Sequence, residues 1–242
     1  MLLLSQAIES QIALIFMTPH IIYHGKFFTS KSLLETKLEY LRNLAKTNNL
    51  DIELKLSCEI MMNEDGLRYI QEGKFWGYQD TNYVLIEFIP PFDEVLITES
   101  LNELQRQGKR AIIAHPERYF SDPEIAIKTV KHWIMCGASL QVNKTSLFVN
   151  PKASTREVAL ALIEHNLISL IASDAHHAPG RREARLLEAH QELIRLFDLK
   201  TADLLCIDNP SHLSKNETLV STSVSQGWFR SHLRHHRFKQ KL

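Results

Sequence analysis

Ala111-Ile112-Ile113-Ala114-His115-Pro116-Glu117-Arg118-Tyr119 sets the architecture of this chain. Four apolar residues in a row predict a buried parallel strand. Pro116 has no N–H to give to a ladder, so the strand ends there. His115 then stands at the carboxyl end of a buried strand, where α/β folds collect their chemistry. A single such histidine reads as an ordinary hydrogen-bonded core residue. The same event recurs along the chain, however. Leu167 to Ala172 runs into Ser173-Asp174-Ala175-His176-His177, and Ile12 to Met17 runs into Thr18-Pro19-His20. Leu54 to Leu56 leads to Ser57-Cys58-Glu59, and Tyr83 to Ile86 leads to Glu87. Strand after strand delivers a His, Asp or Glu at or near its carboxyl end. A ring of strand ends converging on metal ions accounts for this; unrelated core residues do not.

Between these runs lie helical signals. Ser30 or Ser32 can cap a helix to about Lys46 that carries Leu33, Leu34, Leu38, Leu41 and Leu44 on one stripe. Glu64 to Glu72 is a short helical turn, and Glu94 to Gln107 is helical and stops at Gly108. Asp122-Pro123 opens a helix that Gly137 closes. Ser139 to Val142 is a strand that ends at Asn143, and Thr155 to His165 is helical. A helix is expected from about Arg182 to Phe197, and a short one from Ala202 to Cys206 that Asn209-Pro210 breaks. Strand–helix alternation of this kind predicts βα units around a parallel sheet or barrel. The 242 residues suit one large α/β domain.

Basic and acidic residues balance at 28 each, so nothing global points to nucleic acid. No apolar run reaches the ~18 residues of a membrane span, and the opening Met1-Leu2-Leu3-Leu4 lacks the basic segment of a signal peptide. It reads as part of a helix. Cys58, Cys136 and Cys206 are scattered and read as reduced thiols, which suits a cytoplasmic protein. None has an arginine six residues on, so the loop of a cysteine-dependent phosphatase is missing. Residues 218–242 turn polar and then basic, and are expected to form a disordered tail beside a domain at 1–217.

Imidazoles mixed with carboxylates favour Mn, Zn or Fe over calcium. Carboxylates such as Glu59 and Glu87 can bridge two ions, which acidify water and neutralise phosphoryl oxygens. Arg118 stands beside one candidate ligand strand, and Arg181 and Arg182 beside another. Arginine supplies planar bidentate contacts to phosphate.

Thr18-Pro19-His20, Cys58-Glu59-Ile60, Leu85-Ile86-Glu87-Phe88, Ala114-His115-Pro116-Glu117-Arg118-Tyr119 and Ser173-Asp174-Ala175-His176 occur in that order. As a set they resemble the PHP (polymerase and histidinol phosphatase) superfamily, and within it the bacterial capsule-type, manganese-dependent protein tyrosine phosphatases. The resemblance implies a distorted (β/α)7, TIM-like barrel with up to three Mn2+ ions, or Zn2+ or Fe in their place. Glu59 would bridge two metals, and Glu87 and His115 would complete the second site. Asp174 would serve the first site, His20 with His176 the third. Arg118 and either Arg181 or Arg182 would hold phosphate. The implied partner is a phosphotyrosine protein, such as a bacterial tyrosine kinase of polysaccharide assembly, and oligomers are compatible with it. The family's opening Asp-x-His-x-His strand has no match here. The first strand is therefore expected to be missing, through truncation or in a short form with impaired activity. A small phosphomonoester substrate of the histidinol phosphate kind, or a weakly catalytic binding protein, are the alternatives.

Overall fold

The computed structural model describes residues 1–22, 29–91, 93–148, 153–180 and 182–220. In chain order come α1 (Leu2–Glu9), β1 (Leu14–Met17), β2 (His20–Ile21), α2 (Lys31–Thr47), β3 (Glu53–Leu56), β4 (Glu59–Met62) and α3 (Glu64–Gln71). They are followed by β5 (Tyr83–Phe88), α4 (Glu94–Arg106), β6 (Arg110–Ala114), α5 (Pro123–Met135), β7 (Ser139–Asn143), α6 (Ala153–Glu164), β8 (Leu170–Ala172), α7 (Leu187–Leu196), α8 (Leu199–Asp203) and α9 (Asn209–Ser214). Helix starts follow the capping residues. Ser30, Asn63, Asp93, Asp122 and Asp198 each accept a bond from a first-turn N–H.

The result is a mixed α/β fold with parallel sheets. Six strands run in the order β2-β4-β5-β6-β7-β8, and β1 pairs with β3 as a separate two-stranded ladder. The two ladders are one surface with a kink. Thr18-Pro19 interrupts β1–β2 and Ser57-Cys58 interrupts β3–β4, at the same level. Across the kink the Ser57 N–H donates to Met17 O at 2.8 Å, and the Glu59 N–H to Pro19 O at 3.0 Å. Within the six-stranded sheet, neighbours in space thus follow one another in chain order, without the reversal of a doubly wound sheet.

The two faces of this wall carry different side chains. Ile60, Ile86, Ile113, Val142 and Ile171 point at the helices and form the main core with Trp133, Leu104 and Ile97. On the other face, Leu85, Ile112, Ala114 and Leu170 pack with Tyr78 and Tyr83. Register places Leu85 opposite Glu59 and Ile112, and Gln141 opposite Ala114. Period-two alternation then puts Glu59, Glu87 and Asn143 on the inner face.

Three expected elements differ. The helix expected from Arg182 begins only at Leu187. Residues 182–186 are held as loop by side chains: Gln6 Nε2 donates to Glu183 at 2.6 Å, and Lys144 Nζ to Arg185 O at 2.5 Å. Asn209-Pro210 starts α9 instead of breaking the helix before it. The chain widens into a π-turn over Leu204–Asp208, next to where a proline ring would collide with the carbonyl four residues back. Glu59, expected at the carboxyl end of the Leu54–Leu56 run, instead opens a second strand segment, β4.

Glu217 to Val220 is tied down. Tyr83 Oη donates to Glu217 O at 2.8 Å, and the Val220 N–H donates to Asn209 Oδ1 at 2.8 Å. The expected tail from 221 onward lies outside the described residues. Among the described residues no helix is long and apolar enough to cross a membrane.

Candidate metal centre

Glu59, Glu87, His115 and His20 meet at the inner face of β2, β4, β5 and β6. His20 Nδ1 lies 3.3 Å from Glu59 Oε2 and 3.1 Å from Glu87 Oε1. His115 Nε2 lies 3.1 Å from Glu59 Oε1 and 3.5 Å from Glu87 Oε2. Both glutamates and His115 are buried, whereas His20 is open to solvent. The ligand atoms of His20, Glu59 and Glu87 all lie within 4.8 Å of one another.

His115 reaches this cluster against the pleat. Alternation after Ala114 would send it to the helix side with Ile113. Instead it adopts φ 36°, ψ 50°, a left-handed conformation uncommon outside glycine. That turn swings the ring to the inner face. Tyr119 locks the geometry behind it. Its Oη donates to Ala114 O at 2.8 Å and accepts the Phe88 N–H at 2.9 Å, so it ties the end of β5 to the end of β6.

The donor set fits a divalent cation. Two buried carboxylates share one small space with two imidazoles. Without a cation, protonated imidazoles can offset their repulsion. The bond from Glu87 raises His20, against burial and with help from the Glu59 charge. Burial pushes His115 down, but its bond to Glu59 and that carboxylate's charge outweigh it, and the net direction is up.

Asp174 sits across from this cluster, in the loop after β8, at φ 48°. Its Oδ2 accepts from Arg182 Nη2 at 2.6 Å and Asn143 Nδ2 at 2.7 Å, with Arg118 Nη2 at 3.3 Å. Its backbone O accepts from Arg182 Nε at 3.2 Å and lies 3.0 Å from His176 Nδ1. His176 Nδ1 is also 3.5 Å from Asp174 Oδ1. The His176 and His20 rings are 6.1 Å apart, which joins the two halves of the site. Arg181 lies outside the described residues; Arg182 is the arginine placed against Asp174.

Sequence reasoning missed two supports. Asn143 is fully buried at the end of β7 and grips Asp174. Glu117, inside the quoted motif, is also fully buried and accepts the Asn143 N–H at 3.1 Å and the Ser146 hydroxyl at 2.8 Å. Burial holds its carboxyl above the usual range despite those bonds. Asn143 obeys the same strand-end rule as the candidate ligands; its side chain is an amide, not an acid or imidazole. Burial pushes Cys58 up, and Cys206 up to about 12.

A family model described as capsular polysaccharide synthesis, CpsB/CapC, matches residues 1–215. CapC of Staphylococcus aureus is 30% identical over 181 residues, which are 74% of this chain and 69% of CapC. The tyrosine-protein phosphatase YwqE of Bacillus subtilis is 27% identical over 215 residues, 88% of this chain and 82% of YwqE. A crystal structure from work on YwqE and Streptococcus pneumoniae CpsB, described there as metal-dependent tyrosine phosphatases, superimposes with a TM-score of 0.79. It is 25% identical and covers 90% of this chain and 88% of that one.

Proposed function

This chain belongs to the capsular polysaccharide synthesis CpsB/CapC family, and from that membership we propose that it is a metal-dependent phosphatase acting on phosphotyrosine in proteins. The substrate proteins are those that regulate capsular or exopolysaccharide synthesis, such as a tyrosine kinase of polysaccharide assembly, and the setting is cytoplasmic. The observation that carries the reading is the meeting of Glu59, Glu87, His115 and His20 beside two arginines that converge on Asp174.

In this reading residues 1–217 are the phosphatase unit and 218–242 a basic tail. The kinked parallel wall is an arc of a distorted (β/α)7 barrel. Mn2+ is the metal we assign, and Glu59, Glu87, His115, His20, Asp174 and His176 are the residues that would hold it. A divalent cation there lowers the pKa of water and screens the charge of a phosphoryl group. The protein's own work is orientation. Glu59 and Glu87 come from adjacent strands, so their separation is set by the ladder rather than by flexible loops. Arg118 and Arg182 stand at the rim with guanidinium forks suited to phosphoryl oxygens.

Hydrolysis of a phosphotyrosine peptide by the full chain, with and without Mn2+, tests this. Mn2+-dependent turnover, faster on the peptide than on histidinol phosphate, is expected. No turnover in either condition sinks the proposal, and a preference for histidinol phosphate reassigns the substrate.

A further inference from the structure

The two arginines at the rim have two claims on them. Both contact Asp174 Oδ2, and both are assigned to the phosphate. A bound phosphoryl group draws guanidinium N–H groups away from that oxygen. One donor to it cannot leave. Asn143 Nδ2, 2.7 Å away, belongs to a side chain with no exposed surface on an inner-face strand. Its amide is oriented by its surroundings: Gln141 Nε2 lies 3.5 Å from Asn143 Oδ1, which leaves the NH2 end facing Asp174. Its backbone is fixed as well, since its N–H donates to the buried Glu117, itself held by Ser146. Asp174 needs such a hold. It sits at φ 48°, past the end of β8, where no ladder bond constrains it.

The geometry points to Asn143 as a positioning residue for Asp174. It pins Oδ2 throughout the reaction, so that Oδ1, whose contact is His176 Nδ1 at 3.5 Å, stays turned to the metal. Glu117 and Ser146 form the brace behind it. This inference rests on the proposed metal-dependent reading and adds to it a residue that touches neither metal nor phosphate. Partners of this kind, hydrogen-bonded to a ligating carboxylate, change metal affinity by about 10–100-fold when removed.

Calorimetric titration of the full metal-free chain with Mn2+ tests it, apart from any assay of turnover. Asn143→Leu keeps the volume and removes the donor; it is expected to weaken Mn2+ binding about 10–100-fold. Asn209→Leu is the control, another fully buried asparagine whose bonds go to Ser169 and Val220. It should lose stability and keep its Mn2+ affinity. The decisive comparison repeats Asn143→Leu in an Asp174→Asn background. A residue acting through Asp174 has nothing left to lose there, whereas a merely structural one costs the same again. If Asn143→Leu does not fold, Asn143→Ser, too short to span the gap, carries the same expectation. Mn2+ affinity within twofold of wild type in either variant overturns the inference, as does an equal loss in the Asp174→Asn background. A wild-type chain that binds no Mn2+ overturns both this and the proposed function.

Discussion

The two limbs of the site are built by opposite means. Glu59 and Glu87 lie in β4 and β5 and His115 directly follows β6, three adjacent hydrogen-bonded strands, and all three are buried. Asp174, His176 and Arg182 come from one loop after β8, and His176 and Arg182 are partly open to water. In the first limb the ladder fixes separation, and each side chain needs only one direction. In the second, hydrogen bonds from elsewhere do that work: Asn143 and Arg118 from other strand ends, and Lys144 and Gln6 on the loop's far side. A strand-borne ligand set is preorganised by the fold; a loop-borne set is preorganised by its neighbours.

The largest expected effect comes from cutting the strand limb. His115→Ala removes one of the two imidazoles that face both glutamates, and Mn2+-dependent hydrolysis should fall below detection. His176→Ala, in the loop limb, should leave measurable turnover at raised Mn2+. Equal loss in the two variants would erase the distinction between the limbs, and full turnover by His115→Ala would refute the site assignment.

Next in size are the arginines. Arg182→Lys keeps the charge and loses the fork that holds both the backbone and the carboxylate of Asp174. Loss of a charge-assisted bond of about 1.5–3 kcal/mol predicts roughly a 10- to 100-fold fall in kcat/KM. Arg118→Lys, whose single contact is longer, should lose less. The reverse order in steady-state kinetics would mean that the phosphate sits nearer Arg118.

A pH series separates the limbs in another way. His20 and His115 are both raised above the ordinary histidine value, the first chiefly by its bond to Glu87, the second by Glu59 against burial. A raised histidine stabilises the metal-free fold fully below its unfolded pKa, and that contribution is lost as pH rises through the folded value. Metal binding has the opposite sign, because the imidazoles must shed their protons first. From about pH 6.5 upward, therefore, the metal-free Tm should fall while Mn2+ affinity rises. A metal-free Tm that climbs over the same range would show that protonated His20 and His115 do not hold the two glutamates together.

This contrast also explains what could be read from the sequence. Apolar runs that end at or near His20, Glu87, His115 and Asp174 point to the parallel wall and to the side chains that gather at its inner face, because strand ends are the same in sequence and in space. The kinks at Thr18-Pro19 and Ser57-Cys58 hid β2 and β4, since a break in alternation reads as an end and the ladder that crosses it is non-local. The composition of residues 182–186 is helical; contacts from Gln6 and Lys144, far away in sequence, override the propensity and hold them as loop. Asn143 and Glu117 stayed hidden for a related reason. Their roles lie in partners some thirty residues away, and no local pattern encodes those.

The smallest expected effect tests whether the strand limb is as rigid as the comparison requires. The Tyr119 hydroxyl is buried and makes two bonds, one to the end of β5 and one to the end of β6. Tyr119→Phe keeps the ring against Trp133 and Phe120 and leaves the Phe88 N–H and Ala114 O without that partner. Unsatisfied buried groups cost about 1–3 kcal/mol, which should appear as a lowered denaturation midpoint with unchanged slope. If strand pairing alone sets the spacing of Glu87 and His115, Mn2+ affinity stays within about twofold, since 1.4 kcal/mol would already be tenfold. A tenfold loss of affinity would mean that the hydroxyl, and not the ladder, holds these two ligands in place. The strand limb would then depend on a side-chain brace just as the loop limb depends on Asn143.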